Sequence, residues 1–498
     1  MLAAKNDNQT RKNAWWLLLA LAAVAAVRLY GLAGAALPDY DSVRNWQIVQ
    51  EVARGNLRNL FHHGSPGFSL LYAPVAWLTT DYRVFQHLNA LLAVGAVGVL
   101  AAFVGREARL LPVETALLAL LTGSSVFLTF SGRDFTMGSA SLLVFAALLR
   151  AYYRRLRSPG RAPLLRATLW LTLGLSLNYK FLLTLPILAV FELLQQDGLL
   201  RQRGNGWRVL AILAGPYGLL SGIGMLAGLP WYRWVGVYYT IAFPGAANAA
   251  GRTGTAQLDG LYYLQFLRDF ESPLVLLALV VVPVLWRREL LVGLRRMNLL
   301  RYLALWAYCY LAGMSVLIKA PRGLLPAYGL FYALAFLSLR RVLPPRRLLV
   351  VALLAVGFNL YRVQREIYAY TPSHYADAAA WLRAHGGHRV ASTVGQGLAP
   401  FQASADSLVV VTHESQLPAL RRRGYRYVLL DAYWRVAQVP NFGALATRPA
   451  LAAWPEPLLT SPLLFLEHSE FTGLSYRETL ARQQAARCDS VQLRLLAL

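Results

Sequence analysis

About eleven apolar segments, separated by short polar loops, constrain the fold of this 498-residue chain more than any other feature. Each is long enough, or nearly so, to cross the hydrocarbon core of a bilayer as a helix. They cover residues 15–32, 84–104, 112–130, 137–153, 164–178, 181–194, 209–229, 273–286, 302–318, 323–339 and 348–362. Because 57% of the residues are hydrophobic and only 15% are charged, the sequence predicts an α-helical polytopic membrane protein.

The arginines are concentrated in alternate loops and so predict the topology. Arginine-rich loops lie at 105–111, 154–161, 201–208, 287–301 and 340–347, whereas the intervening loops at 33–83, 131–136, 179–180, 231–272 and 319–322 are poorer in basic residues. By the positive-inside rule, the basic N-terminus and the arginine-rich loops are cytoplasmic. The net charge of +25 therefore indicates topology in the plasma membrane, without a nucleic-acid partner. The first segment shows no convincing cleavage site and is predicted to remain as a helix.

Two aspartates, Asp39 and Asp41, stand in the first outer loop (33–83), directly after the first apolar segment. Apolar residues then recur at helical spacing up to Gly55, which predicts an amphipathic helix on the membrane surface, with Ser42 or Asp41 as its cap. The carboxylates could be no more than capping and loop residues. A short apolar piece at 67–79 is better placed as interfacial or re-entrant than as a span.

The remaining charges of the outer loops occur singly, at the ends of apolar segments. They are Arg133, Asp134, Lys180, Lys319 and Arg322. Charges at mid-depth mark many transport paths, and the apolar segments largely lack them, so the pattern favours a site at the water–lipid boundary. Each has a simpler reading as well: an interfacial polar pair for Arg133 and Asp134, and a snorkelling side chain for Lys180. His62 and His63 have no metal-binding spacing, nor do the two cysteines.

The order of these features resembles the GT-C class of membrane glycosyltransferases, in the branch of protein O-mannosyltransferases and lipid A aminoarabinose transferases. The resemblance runs from about Asp39 to Leu194, with weaker similarity to about Leu339. Four motifs carry it: the acidic pair Asp39-Tyr40-Asp41 before an interfacial helix, His63-Gly64-Ser65-Pro66, the turn Arg133-Asp134, and Asn178-Tyr179-Lys180-Phe181. The second motif departs from the His-Pro-Pro wording of the class, which leaves the role of His63 open.

This resemblance implies a polyprenyl-phosphate-linked sugar donor and transfer, inverting the sugar's configuration, at the outer membrane face. Fixed cations must balance the charge of a phosphate leaving group, and Lys180, Arg133, Lys319 and Arg322 lie on the outer side. Asp41 is the expected general base with Asp39 as its partner, supported by Asp134 and His63. Some GT-C enzymes use a divalent metal, which two aspartates could hold; no further carboxylate is predictably adjacent, so no metal site is assigned.

The sequence changes character after residue 362, which divides the chain into a transmembrane domain (1–363) and a C-terminal domain (364–498). Helices are predicted at 373–385 and 416–423, and strands at 389–392, 407–412 and 425–431. Alternating elements of this kind indicate a small α/β domain, here on the extracytoplasmic side. Gly395-Gln396-Gly397 reads as a turn, since its spacing does not match a dinucleotide-binding motif.

Two other function classes stay open at this point. A lipid or glycan flippase would span the membrane in the same way, and so would an envelope assembly protein without catalytic activity. The sequence identifies neither the sugar nor the acceptor, which could be a lipid, a glycan or a protein.

Overall fold

The structure is a computed structural model that describes residues 2–37, 39–62, 66–195, 198–200, 202, 204–233, 236, 259–287, 297–317, 319–403, 406–489 and 491–498. The side chains of residues 2–14, 195 and 471 are outside the description. His63, for which the sequence predicts a supporting role in the site, lies outside the described residues, as do the two residues after it.

Helices account for most of the described residues before residue 370. In order they are α1 (Leu2–Leu29), α2 (Tyr40–Ala53), α3 (Pro66–Ala76), α4 (Tyr82–Glu107), α5 (Pro112–Gly123), α6 (Val126–Gly132), α7 (Gly138–Arg157), α8 (Arg161–Leu177), α9 (Thr184–Gln195), α10 (Asn205–Leu226), α11 (Tyr262–Phe270), α12 (Pro273–Leu285), α13 (Leu299–Val316), α14 (Leu325–Val342) and α15 (Pro345–Glu366). Each predicted apolar segment coincides with one of these helices, except that 112–130 is divided between α5 and α6, and the piece at 67–79 forms α3.

Six helical stretches in the described part of the chain are long and apolar enough to cross a membrane. They are Trp15–Gly34, Tyr82–Glu107, Asn205–Leu226, Leu299–Val316, Pro321–Val342 and Pro345–Tyr370, and the pair α5 and α6 makes a seventh if it is counted as one span. Fewer helices pass this test than the eleven or so predicted, because several of the predicted segments form helices shorter than 18 residues or carry arginines at one end. The protein is a multi-pass membrane protein.

One predicted span, 112–130, is broken rather than straight. Helices α5 and α6 meet at an angle of 68°, and Ser125 caps α6 by accepting a hydrogen bond from the Leu128 amide. The buried guanidinium of Arg28 donates to the carbonyl oxygens of Leu128 and Gly123 at this break. Such a break is tolerated inside an apolar bundle only where the freed backbone groups find partners, and Arg28 supplies them.

The C-terminal region, from Tyr375 to Ala497, contains a five-stranded sheet. Its strands are β1 (Arg389–Thr393), β2 (Ser407–Val411), β3 (Tyr427–Leu430), β4 (Ala452–Pro455) and β5 (Gln492–Ala497), and its helices are α16 (Tyr375–Ala384), α17 (Leu417–Arg422), α18 (Tyr433–Ala437), α19 (Gly443–Thr447), α20 (Pro462–Glu467), α21 (Ser469–Thr472) and α22 (Tyr476–Cys488). The strand order is β2-β1-β3-β5-β4, with β1 parallel to β2 and β3, and β5 antiparallel to β3 and β4. The α/β character is confirmed; strands β4 and β5 were not predicted.

The C-terminal region packs on one end of the helices, the end at which α2 lies. The hydroxyl of Tyr262, at the start of α11, donates to the Leu466 carbonyl at 3.3 Å, and Tyr476 donates to Asp269 at 2.8 Å. An isolated β-bridge joins Ala35 to Pro372. These contacts place α20 and α21 directly over the loops between the helices.

Candidate active site

Asp39 begins the amphipathic helix α2 as its N-cap. Its carboxylate accepts a hydrogen bond from the Ser42 amide at 2.7 Å, and the Ser42 hydroxyl closes a capping box. The predicted cap was Ser42 or Asp41; the structure corrects it to Asp39, because Tyr40 already has helical geometry and the capping side chain must precede the first turn. Asp41 therefore lies in the first turn of α2, after the cap.

Arg322 lies at the centre of a cluster of carboxylates. It belongs to the short 3₁₀ turn Pro321–Leu324 before α14, and its guanidinium pairs with Asp41 at 3.3 Å, with Glu470, and with Glu467 at 3.9 Å. Its backbone amide also donates to Glu467 at 3.3 Å. One guanidinium thus connects the first outer loop to the junction between α20 and α21.

Lys180 approaches the same cluster from the break after α8. Asn178 orders this break, because its side chain accepts from the Lys180 amide at 2.9 Å and donates to Ser141 at 3.1 Å. Burial lowers the pKa of the Lys180 ammonium. The charges of Glu470, Arg322, Glu467 and Asp41 also act on it. In the described part of the chain it forms no ion pair within 4.0 Å and no side-chain hydrogen bond.

Asp134 adds a further buried carboxylate beside the cap of α2. The Phe135 amide donates to its carboxylate at 2.7 Å, and Asn89 of α4 donates to its backbone carbonyl at 2.6 Å. Burial raises the pKa of Asp134 well above its usual range, and the neighbouring charge of Asp39 raises it further. Because Asp39 itself is buried and close to Asp41, its pKa is raised too.

A chain of hydrogen bonds runs from the C-terminal region to the start of α2. His468 Nδ1 lies 2.9 Å from the Leu464 carbonyl, and a carbonyl can only accept, so Nδ1 carries a proton. His468 Nε2 is hydrogen-bonded to the Tyr433 hydroxyl. That hydroxyl in turn accepts from the Tyr40 amide at 3.2 Å. Because Tyr40 lies between Asp39 and Asp41, these hydrogen bonds fix the acidic pair to the C-terminal region.

The cluster contains more acidic than basic side chains. Five carboxylates (Asp39, Asp41, Asp134, Glu467 and Glu470) surround two cations, Lys180 and Arg322. Burial raises the pKa of Glu467 to about 7, against the opposing effect of Arg322 and Lys180. For Glu470 the same two cations outweigh burial and lower the pKa.

Two of the predicted site residues point elsewhere. Arg133 donates to the carbonyls of Arg28 and Tyr30, at 2.8 and 2.6 Å, and its guanidinium lies 5.1 Å from the centroid of the Tyr368 ring. The Lys319 amine donates to the Leu317 carbonyl, and Asp259 lies in its electrostatic environment. Asp39, Asp41, Asp134, Lys180 and Arg322 are brought together, whereas Arg133 and Lys319 are not.

Glu467, His468 and Glu470 were missed by reasoning from the sequence. A signal was present, because three ionisable side chains within four residues follow the apolar segment Pro462–Leu466 in a chain that is poor in acidic residues.

No group of three or more His, Cys, Asp or Glu side chains among the described residues is arranged to hold a metal ion.

The chain is similar to solved structures of two kinds of membrane protein. ArnT from Cupriavidus metallidurans bound to undecaprenyl phosphate is 17% identical, with a TM-score of 0.45 over 95% of this chain and 79% of that one. Its apo form gives 16% and 0.45 over the same shares. The oligosaccharyltransferase of Archaeoglobus fulgidus, tethered to an acceptor peptide, is 13% identical, with a TM-score of 0.48 over 84% of this chain and 70% of that one.

These solved structures are of GT-C glycosyltransferases, the class that the sequence resembles. With TM-scores below 0.5 and such low identities, no residue role follows from them. No protein-family model matches the chain, and no curated protein matches it.

Proposed function

We propose that the protein is a glycosyltransferase that moves a sugar from a polyprenyl-phosphate donor to an acceptor at the outer face of the plasma membrane. The observation that carries the proposal is Lys180, whose ammonium lies beside an acidic cluster without a direct carboxylate partner. A half-buried cation of this kind retains donors for an anionic ligand, and a phosphate leaving group needs such donors as its charge develops. Its proximity to Asp41 would place the phosphate next to a base.

Asp41 is the best-placed general base. Of the three carboxylates that pair with Arg322 it is the most accessible, with 31% of its side chain exposed against 15% for Glu470 and 10% for Glu467. An acceptor hydroxyl can therefore reach it from the outer surface. Asp39 is buried and bound to Ser42, so it serves to position the start of α2. Direct attack of the activated hydroxyl on the sugar carbon would invert its configuration.

Arg322 takes a different part from the one expected. Its guanidinium is bound by three carboxylates, so a donor phosphate would have to share or displace them. We assign the principal phosphate contact to Lys180, with Arg322 as the group that gathers Asp41, Glu467 and Glu470 around it. Arg133 and Lys319 are left out of the proposed site because their charged groups bind backbone carbonyls elsewhere.

The proposed orientation follows from the charges of the loops. The arginine-rich ends of the helices face the cytoplasm together with the N-terminus, and the C-terminal region lies outside with the candidate site. Its residues Glu467, His468 and Glu470 complete the site from above. The acceptor would enter between this region and the membrane surface.

The test is transfer by the purified full-length protein in lipid vesicles supplied with radiolabelled polyprenyl-phosphate sugars and an extract of envelope acceptors. The expected result is labelled acceptor together with released polyprenyl phosphate. Movement of the intact donor between leaflets would identify a flippase, and neither reaction would favour an assembly protein. Either of these two results, with a donor set that includes several sugars, would overturn the proposal.

A further inference from the structure

A large cavity lies away from the candidate site, in the groove between α3, α4, α7 and α8. Its volume is about 840 Å³, within the range of cavities that enclose small-molecule ligands. Its walls are apolar along most of their length, with small residues such as Ala140 and Ala147 on the α7 side and Trp170 on the α8 side. Leu70 and Leu173, on its rim, are 40% and 43% exposed, so the cavity faces the lipid.

One end of this cavity carries three arginines. Arg150 and Arg154 lie on the last two turns of α7, and Arg166 lies in the second turn of α8. The charge of Arg154 interacts with those of Arg150, Arg166 and Arg106. The only carboxylate among its charged neighbours in the described chain is Glu107, which is already paired with Arg106 at 3.8 Å. Arg150, Arg154 and Arg166 make no ion pair among the described residues.

The length of the cavity fits a lipid tail. Along α7 it runs from Ala140 to Arg154, which is fourteen helical rises of 1.5 Å, or about 21 Å. That is about two thirds of the thickness of the hydrocarbon core of a bilayer. An apolar groove of this length that ends in unpaired guanidinium groups is complementary to an amphiphile with a long tail and an anionic head.

We propose that this groove binds an anionic phospholipid of the leaflet on the arginine-rich side, with its phosphate at Arg150, Arg154 and Arg166 and an acyl chain along α7. A donor lipid with its phosphate at Lys180, beyond the opposite end of α8, is a poorer occupant because it would leave the three guanidinium groups without an anionic partner. Guanidinium groups bind phosphate with paired, directed hydrogen bonds, and a cluster of them distinguishes an anionic head from a zwitterionic one. The site is independent of the proposed transferase activity.

The experiment uses the full-length protein in vesicles and the fluorescence of Trp170. Bromine atoms on lipid tails quench nearby tryptophans, and subtracting the signal of a Trp170→Phe variant isolates Trp170 from the other twelve tryptophans. The probes are phosphatidylglycerol and phosphatidylcholine with identical brominated tails, titrated into unlabelled phosphatidylcholine. Phosphatidylglycerol is expected to quench Trp170 at a mole fraction lower by roughly 100-fold, since each of the three arginines contributes roughly fivefold to the affinity for an anionic head.

Replacing the three arginines tests the site itself. Arg150→Gln/Arg154→Gln/Arg166→Gln should remove the preference for phosphatidylglycerol, whereas Arg161→Gln/Arg346→Gln/Arg347→Gln should keep it. The control removes the same charge from exposed positions at the same end of the molecule, outside the cavity. If the triple variant does not fold, Arg166→Gln alone should still weaken the preference.

Three results would overturn the proposal. The first is equal quenching by the two lipids, and the second is equal loss of preference in both triple variants, which would indicate a general surface charge. The third is relief of quenching by unlabelled polyprenyl phosphate at lower concentration than by unlabelled phosphatidylglycerol. That result would assign the groove to the donor tail instead.

Discussion

The carboxylates around Arg322 differ in what each can do, although they share one partner. Glu467 and Glu470 are held from the C-terminal region, and Asp41 is held from the first outer loop. Removing any of them takes one partner from Arg322, but only Asp41 is proposed to accept a proton from the acceptor. This difference allows catalysis and structure to be separated by matched substitutions.

Asp41→Asn should lower turnover by about 10²–10⁴-fold, the usual cost of losing a general base. Donor affinity should change little, because the asparagine keeps the shape of the side chain. Glu470→Gln is the control, since it also deprives Arg322 of a carboxylate but leaves the base in place. Turnover is measured in membranes at matched expression. Equal losses in the two variants would mean that Asp41 acts only through Arg322.

Lys180→Gln should weaken donor binding by roughly 10–150-fold, the effect of losing a hydrogen bond to a charged group worth about 1.5–3 kcal/mol. Lys319→Gln removes the same charge from the outer side, at an amine that binds the Leu317 carbonyl, and should leave donor binding within a few-fold of the parent. The measurement is equilibrium binding of a labelled polyprenyl phosphate. Similar affinities for both variants would remove Lys180 from the phosphate site.

Glu467 should make stability depend on pH near neutrality. Burial raises its pKa in the folded protein to about 7 from an ordinary 4.5, so the folded state holds this proton more tightly than the unfolded chain. The stabilisation is present below about pH 4.5 and is lost as the pH rises through about 7. The melting temperature of the parent protein in detergent should therefore fall over this pH range. The melting temperature of the Glu467→Gln variant should fall less steeply.

The exposed residue Glu478 provides the control for this pH dependence. Its pKa is lowered by hydrogen bonds from Ser475, so it stays ionised over the same range. Glu478→Gln should keep the full slope of melting temperature against pH. A Glu467→Gln variant with the same slope as the parent would show that other buried acids, such as Asp39 and Asp134, cause the dependence.

Helix α6 depends on a carboxylate from another element. Glu271, at the end of α11, is buried and accepts hydrogen bonds from the Ser125 hydroxyl at 3.0 Å, the Phe127 amide at 2.9 Å and the Tyr332 hydroxyl at 2.7 Å. It thereby satisfies the N-terminus of α6 at the break after α5. Because α6 leads directly into Arg133 and Asp134, Glu271 holds one wall of the candidate site in place.

Glu271→Ala should destabilise the protein by several kcal/mol, since three buried donors lose their acceptor at about 1–3 kcal/mol each. Tyr332→Phe leaves the Ser125 and Phe127 bonds to Glu271 in place, but it also removes the hydroxyl that accepts from the Ser272 amide at 3.4 Å and from the Asn359 side chain at 2.9 Å. It should therefore cost less than Glu271→Ala, about 1–3 kcal/mol. Both are measured as changes in thermal unfolding in detergent. Turnover per folded molecule should also fall in Glu271→Ala. A larger loss in Tyr332→Phe than in Glu271→Ala would contradict this account of the break.

The charged residues of the molecule are distributed unevenly between its two ends. In the described chain, the arginine-rich loops at 105–111, 154–161 and 340–347 lie together at one end of the helices, while the candidate site and the C-terminal region lie at the other. The C-terminal region also provides a natural reporter of topology, because Cys488, on α22, is exposed and Cys309, on α13, is half-buried. A reagent that cannot cross membranes can therefore report on which side Cys488 lies.

Intact cells treated with a membrane-impermeant maleimide should show labelling at Cys488, because the C-terminal region is proposed to lie outside the cytoplasm. Cys488→Ala should lose that labelling. In this background, Arg346→Cys at the start of α15 should be labelled only after the membrane is permeabilised. Labelling of Cys488 only after permeabilisation would reverse the proposed orientation and place the candidate site in the cytoplasm.

The elements of the chain follow largely from local sequence. Apolar segments, arginine clusters and the turn at Asn178 predict helices, their ends and the position of Lys180, because these depend on neighbours within a few residues. The strands β1, β2 and β3 are local in the same sense. The break between α5 and α6 was not predicted, since it depends on Arg28 and Glu271, which lie far away in the sequence.

The site required the tertiary structure. Arg322 meets Asp41 across 281 positions and Glu470 across 148, and no local pattern specifies such pairings. Arg133 and Lys319 stand in outer loops as the sequence suggests, yet packing turns their charged groups toward backbone carbonyls. The sequence determines which charged residues stand at the ends of the apolar segments. Only the folded chain determines which of them form pairs, because a buried charge is stable only with a partner and packing decides which partner lies within reach.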